Sequence, residues 1–279
     1  MNQYNEKVKE GKISSTTVRY IHAVIHGALE QALKNNLVAQ NVSEATTLPQ
    51  ERKKEIHTLT MAQITQLFSA IENDRLFPAI MLELTTGLRR GELLGLHWRD
   101  VDLNAGILTV RRNLVRIKNH EAKEGEKKTK LVFQEPKTEA SRRTIPIAQQ
   151  ALEELKRHKA RQEQEKRLAG PSYQDNDLVF CKEKGLPIDP RNFTRHFDIL
   201  LKRAGIPHIR FHDTRHTFAT LMLELGEHPK VVQQILGHSK IAVTLDTYTH
   251  VPLDLEKRAA EKLNQALIER KIPPSQEGI

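Results

Sequence analysis

At 279 residues, 38% hydrophobic and 28% charged, the chain is long enough for one large domain or two smaller ones, and too apolar for wholesale disorder. Forty-four Lys and Arg against 35 Asp and Glu leave a net charge of +9 and a pI near 9.6, a balance that favours a polyanionic partner such as nucleic acid. The single Cys181 excludes an intrachain disulfide and a zinc ribbon; no apolar run approaches the roughly 20 residues of a membrane span, and the opening MNQYNEKVKEGK lacks the apolar core of a signal peptide. These features lead us to expect a cytoplasmic protein with no membrane partner.

In chain order, the first periodic segment places Val18, Ile21, Val24, Ile25, Ala28, Leu29, Ala32 and Leu33 at helical spacing behind the candidate caps Ser14 and Ser15. This predicts an amphipathic helix. The polar text NVSEATTLPQERKKE at 41–55 shows neither helical nor strand period and carries Pro49, as an interdomain linker does. We place a helical domain over 1–48, a linker over 49–57 and a second domain from 58. The second opens with Thr60 and Gln63 spaced as a capping box ahead of Ile64, Leu67 and Ile71, and a further apolar helix runs through Ile80 to Leu84.

The run ILTVRR from Ile107 and a second short run at Arg143 to Ile147 alternate as strands, predicting a hairpin with a long charged excursion at its tip. Residues 111 to 143 hold eleven bases and five acids, so most of the net positive charge sits there. Arg111, Arg112, Arg142 and Arg143 are its candidate DNA-binding bases, although a charge run is as often a solvated loop. Helices follow at Ala148 to Leu168, from Pro190 to Ala204, from His212 onward, and finally at Leu253 to Lys271. The expected class is α+β, mostly helical with one small antiparallel sheet.

The string HDTRHTFATLMLELG puts His212, Arg215 and His216 at a helix start, with Phe218, Leu221, Met222 and Leu225 as the apolar side. Two histidines at i and i+4 could ligate zinc, but the intervening glutamate of a zinc-protease helix is absent and Asp213 is misplaced for that role, so no metal is expected. Glu92 lies three residues after Arg89, a spacing that lets a carboxylate hold the guanidinium. Trp98, Leu93, Leu94 and Leu96 are expected in the core.

Five motifs occur in a fixed order: TTGLRRGELLGLHWRDVDL from Thr85, PKTEASRRTIPI from Pro136, HDTRH from His212, LGH from Leu236 and TLDTYTHV from Thr244. Together they resemble the tyrosine recombinases, the integrases of phages and transposons. The resemblance covers 58–252 as a catalytic domain and makes 1–48 a partial helical core-binding domain. Residues 253–279 then form a C-terminal helix and tail able to dock on a neighbouring protomer. Only about two helices precede the linker where the family's core-binding domain has four, so the resemblance implies a shortened protein with an incomplete DNA clamp.

Matched residue by residue, the family's catalytic set implies Arg89, Lys137, His212, Arg215, His238 and the nucleophile Tyr248, with Glu92 orienting Arg89. Arg90 is expected to be a surface or structural base. The implied chemistry is sound: two guanidiniums stabilise a five-coordinate phosphorus without a metal, His212 takes the phenolic proton, and Lys137 protonates the departing 5′ oxygen. The resemblance implies no cofactor and no ATP. It implies double-stranded DNA as substrate, a homotetramer on paired sites, an accessory directionality factor and a nucleoid-associated location in the cytoplasm. Competing readings are a DNA-binding remnant lacking full recombination activity and a nicking-closing activity like that of the type IB topoisomerases.

Overall fold

A computed structural model describes residues 8, 10, 13–50, 57–135, 142–238, 261 and 264. The chain divides into two compact units, Met1–Glu55 and Ile56–Ile279, and this division falls inside the 49–57 segment.

In the first unit, helix α1 (Ser15–Lys34) starts where Ser14 accepts the Thr17 amide. A short 3-10 turn, Val42–Ala45, lies against it, held by Asn41, whose side chain bonds the His26 carbonyl and Glu30 and caps Ser43. Of the apolar stripe expected to be buried, Val18 is, whereas Ile21, Val24 and Ile25 are exposed. One turn supplies too little surface to cover the whole helix.

The second unit is built around its most buried helix. Thr60 and Gln63 form the expected capping box of α2 (Met61–Ile71), and Ile64, Leu67 and Ile71 face inward. Helix α3 (Phe77–Thr86) is buried at nearly every position, being covered by α2, by α5 (Gln149–Ala169) and by α7 (Phe211–Glu224). It ends at Gly87 in the left-handed conformation, φ 61°. A Cβ there would stand 2.6 Å from Leu236 and 2.7 Å from Phe218, so both the turn and the close approach of the neighbouring helices require glycine. The short α4 (Arg90–Leu94) follows, and Leu93, Leu94 and Leu96 are buried as expected.

The sheet is more divided than the sequence suggested. Strands β1 (Val101–Asp102), β2 (Ile107–Val110) and β5 (Arg143–Pro146) form one antiparallel sheet in the order β1-β2-β5, with Leu108 opposite Ile145 and Val110 opposite Arg143. The charged excursion between β2 and β5 is a second hairpin, β3 (Asn113–Lys118) with β4 (Thr129–Gln134). Alternation in NLVRIK and TKLVFQ carries it: Leu114 is buried, Val115 and Ile117 are half-covered, and Arg116 and Lys118 between and beyond them are exposed. Gly91 lets α4 lie on β3, where a Cβ would fall 1.7 Å from the Asn113 side chain.

Helix α6 (Pro190–Arg203) begins at the Asp189 cap, and its Phe193 and Phe197 meet Phe211, the first residue of α7, with ring centroids 5.0 and 5.1 Å apart. Helix α8 (Pro229–Leu236) closes on Gly237, again left-handed. Phe218 is buried on α7 and Met222 packs beside it, but Leu225 is 75% exposed, because the helix ends there and turns away at Gly226.

Candidate active site

Three guanidiniums gather where the α3–α4 corner, β5 and the starts and ends of α7 and α8 meet. Arg89 is the residue before α4. Its amide donates to Glu92 Oε2 at 2.9 Å and its Nη1 to Glu92 Oε1 at 2.8 Å, so a single carboxylate caps the helix and holds the guanidinium. Arg89 remains 38% exposed on its side chain.

Glu92 has a second partner. Arg143 donates from Nη2 at 2.9 Å and Nη1 at 3.2 Å to the same carboxylate, and from Nε to the Ile235 carbonyl at 2.5 Å. Burial alone would push Glu92 up, but the Arg143 bond and charge, then Arg89, hold its carboxyl below the usual range. Grouped by sequence with the DNA-facing bases, Arg143 is instead 7% exposed, and its role here is to brace Glu92. Opposite Val110 in the β2–β5 register, it points inward because the strand alternates.

Arg215, on the first turns of α7, is 3% exposed. Its Nη1 donates to the Gly87 carbonyl and its Nη2 to the Leu236 carbonyl, each at 2.6 Å. Burial, then the nearby charge of Arg89, lowers its pKa to about 9. Arg89 Nη2 meanwhile reaches the Gly237 carbonyl at 3.3 Å. The two guanidiniums thus hold consecutive carbonyls of the turn that leads into His238. That turn is pinned further by Gln233, whose side chain donates to the His238 carbonyl and whose own carbonyl accepts the His238 amide.

Three imidazoles surround the cations. His212 and His216 sit edge to face, with centroids 5.2 Å apart. Burial, then Arg215 for His212 and the His212 ring for His216, lowers both below the ordinary histidine value. His238 is pushed down to about 4 by burial, then by Arg215 and Arg89. All three are therefore neutral at pH 7. Among the described residues no group of three His, Cys, Asp or Glu side chains could hold a metal ion.

The remaining candidates divide. Arg112 is tied to the buried Asp100 and Arg111 lies 3.4 Å from the same carboxylate, although 63% of the Arg111 side chain is exposed. Arg142 is exposed and paired with Glu135. Arg90 bonds Thr194 at 2.7 Å. Lys137, Tyr248 and, apart from residues 261 and 264, the 253–279 tail lie outside the described residues. Beside Arg89 opens a cavity of about 1000 Å³ lined by Arg90, Arg116, Arg191, Arg210 and His212 among others. The bracing role of Arg143 and a buried acid, Glu83, escaped the reading of the sequence. Glu83 did leave a signal, a lone acid inside the apolar run IMLELTT.

Comparison with known proteins gives the family and the fold. Residues 57–253 match the model of the phage integrase family. A tyrosine recombinase XerC-like protein of Caldanaerobacter subterraneus subsp. tengcongensis is 36% identical over 275 residues, spanning 95% of this chain and 70% of that protein. The structure of the Tn1549 transposon integrase, residues 82–397, in complex with a circular intermediate DNA is similar at a TM-score of 0.73 and 26% identity, covering 92% of this chain and 82% of that one. A lambda integrase tetramer bound to a Holliday junction shares the fold at a TM-score of 0.60 and 20% identity, over 88% of this chain and 62% of that one.

Proposed function

The chain belongs to the phage integrase family of tyrosine recombinases and is a site-specific DNA recombinase; from that premise we propose that Arg89, Lys137, His212, Arg215, His238 and Tyr248 carry its strand cleavage and rejoining. The observation that carries this reading is the joint hold of Arg89 and Arg215 on the carbonyls of Gly237 and Leu236, which brings both guanidiniums to the turn that bears His238. Arg215 spends two of its five N–H donors on carbonyls, leaving others for phosphate oxygens.

In the proposed reaction the Tyr248 oxygen attacks the scissile phosphorus, forming the 3′-phosphotyrosyl bond as the bond to the 5′ oxygen breaks. The phenol proton passes to His212, which being neutral can accept it, and Lys137 protonates the departing 5′ oxygen. Arg89 and Arg215 offset the extra negative charge of the five-coordinate phosphorus, and His238 donates a further hydrogen bond to it. Attack by the 5′ hydroxyl of another strand reverses these transfers and rejoins the DNA without ATP.

The substrate is double-stranded DNA, seated along the basic cavity beside Arg89, with exposed Arg142 and the β3–β4 hairpin on its phosphates. The working assembly is a homotetramer on paired sites, aided by a directionality factor, in the cytoplasm at the nucleoid. Residues 1–48 supply a partial core-binding domain, and the 253–279 tail docks on a neighbouring protomer. The test is a nicked duplex carrying the mobile element's junction sequence, designed to trap the covalent adduct. Wild type should give a protein–DNA band resistant to detergent, and Tyr248→Phe should bind DNA without forming it. An adduct persisting in Tyr248→Phe would move the nucleophile elsewhere, and none in wild type would overturn the reading.

A further inference from the structure

Glu83 lies on α3, one turn before the Gly87 carbonyl that Arg215 holds, and only 1% of it is exposed. Neither carboxyl oxygen has a hydrogen-bond partner. The Thr214 hydroxyl lies beside it but donates to the Phe211 carbonyl. Of the charged groups on the described elements packed against α3, the Arg215 guanidinium is the one acting on this carboxyl. Arg215 in turn feels Arg89, Glu92, Arg143 and Glu83, yet bonds only neutral carbonyls.

An ionised carboxylate in such a place is costly, since a buried charge without hydrogen bonds loses its solvation and recovers little of it. Here a cation stands near enough to attract that charge, while the two donors it has placed go to neutral carbonyls. Ionisation of Glu83 would therefore draw charge and N–H groups of Arg215 away from the phosphate side. Protonation leaves the guanidinium undivided.

We propose that Glu83 is a positioning residue for Arg215, a buried carboxyl that must carry its proton for the guanidinium to be fully available to the scissile phosphate. This rests on the assignment of Arg215 to phosphate binding. Burial, opposed in part by Thr214 and then Arg215, pushes the Glu83 carboxyl up to about 8, so the proton is present at pH 7 and is lost above it. Negative charge arriving in front of Arg215 strengthens proton binding behind it, so docking of the phosphate draws a proton onto Glu83. Glutamine at position 83 has the same shape and is permanently neutral.

The experiment is single-turnover cleavage of the nicked duplex from pH 6.5 to 9 by wild type and Glu83→Gln, at concentrations far below saturation, where the rate follows the protonation of the free protein. Tyr248, Lys137 and the histidines contribute equally to both profiles, so their ratio isolates Glu83. One pH unit above its midpoint about one part in eleven of the carboxyl stays protonated, so Glu83→Gln should be about tenfold faster at pH 9 and within twofold at pH 6.5. Superimposed profiles, or a constant loss at every pH, would overturn the proposal and leave Glu83 a packing residue. A second measurement needs no variant: wild type should take up protons on binding the duplex at pH 8.5, two units above the ordinary histidine value, as read from calorimetric enthalpies in buffers of different ionisation heat. No uptake overturns the proposal even if Glu83→Gln fails to fold. Absence of any wild-type adduct would count against the assigned activity, whereas absence of proton uptake would count against Glu83.

Discussion

Arginine is abundant in two places, the cluster around Glu92 and the excursion from residue 111 to 143, and it serves different ends in each. In the cluster, Arg143 and Arg215 are buried and every guanidinium has an acid or a carbonyl to hold, so geometry is set before any ligand arrives. On the excursion, among the described residues, Lys130 and Arg142 pair with exposed acids, contacts worth little in water and sensitive to salt. The difference teaches that a count of positive charge along the chain says little about which charges meet DNA. Arg112 and Arg143 belong to the basic stretch by number, yet one is tied to buried Asp100 and the other to buried Glu92.

The most direct way to break this contrast is to remove one member of the buried pair. Glu92→Ala or Arg143→Ala leaves its partner charged and desolvated, and should cost roughly 3–5 kcal/mol in urea unfolding. Arg142→Ala, one residue away and exposed, should stay within about 0.5 kcal/mol. Equal small losses at 142 and 143 would mean that the cluster is not the structural clamp its geometry indicates.

Catalysis sharpens the contrast within the cluster. Arg89→Ala and Arg215→Ala should each slow single-turnover cleavage by roughly 10² to 10³, the usual loss for one stabiliser of a charged transition state. Arg90→Ala, which removes only a bond to Thr194, should do much less. If Arg90→Ala proved the more damaging of the adjacent pair in folded protein, the register at TGLRR would be wrong.

On the excursion the expected effect is on salt dependence. Lys127→Ala with Lys128→Ala should make the log affinity against log salt slope shallower by about 1.8 if both meet phosphates, with the melting temperature unchanged. An unaltered slope would make these lysines a solvated surface.

The smallest effect should be the response of folding to acid. His212, His216 and His238 are each harder to protonate folded than unfolded, so between pH 6.5 and about 4 the unfolded chain binds more protons. Unfolding free energy should therefore fall as pH drops through that window and be fully regained above it. His238→Gln should flatten part of the decline in urea midpoints taken from pH 4 to 7, and an identical decline in that variant would remove His238 from the account.

Local sequence determined much of this protein. The capping box at Thr60, the apolar face of α2, the proline start of α6 and the pairing of Arg89 with Glu92 depend on contacts three or four residues apart, which spacing reveals. The second hairpin was hidden because the charged run NHEAKEGEKK between NLVRIK and TKLVFQ reads as one solvated loop and masks an alternation that only pairing makes visible. The tertiary structure alone decided which bases are clamps: Arg143 meets Glu92 across 51 residues and Arg215 meets Gly87 across 128. It likewise turned Glu83, an acid among apolar neighbours, into a buried carboxyl that holds its proton behind Arg215. Charge on a side chain is written in the sequence, whereas the solvation and partners that govern its behaviour arise only when distant segments exclude water together.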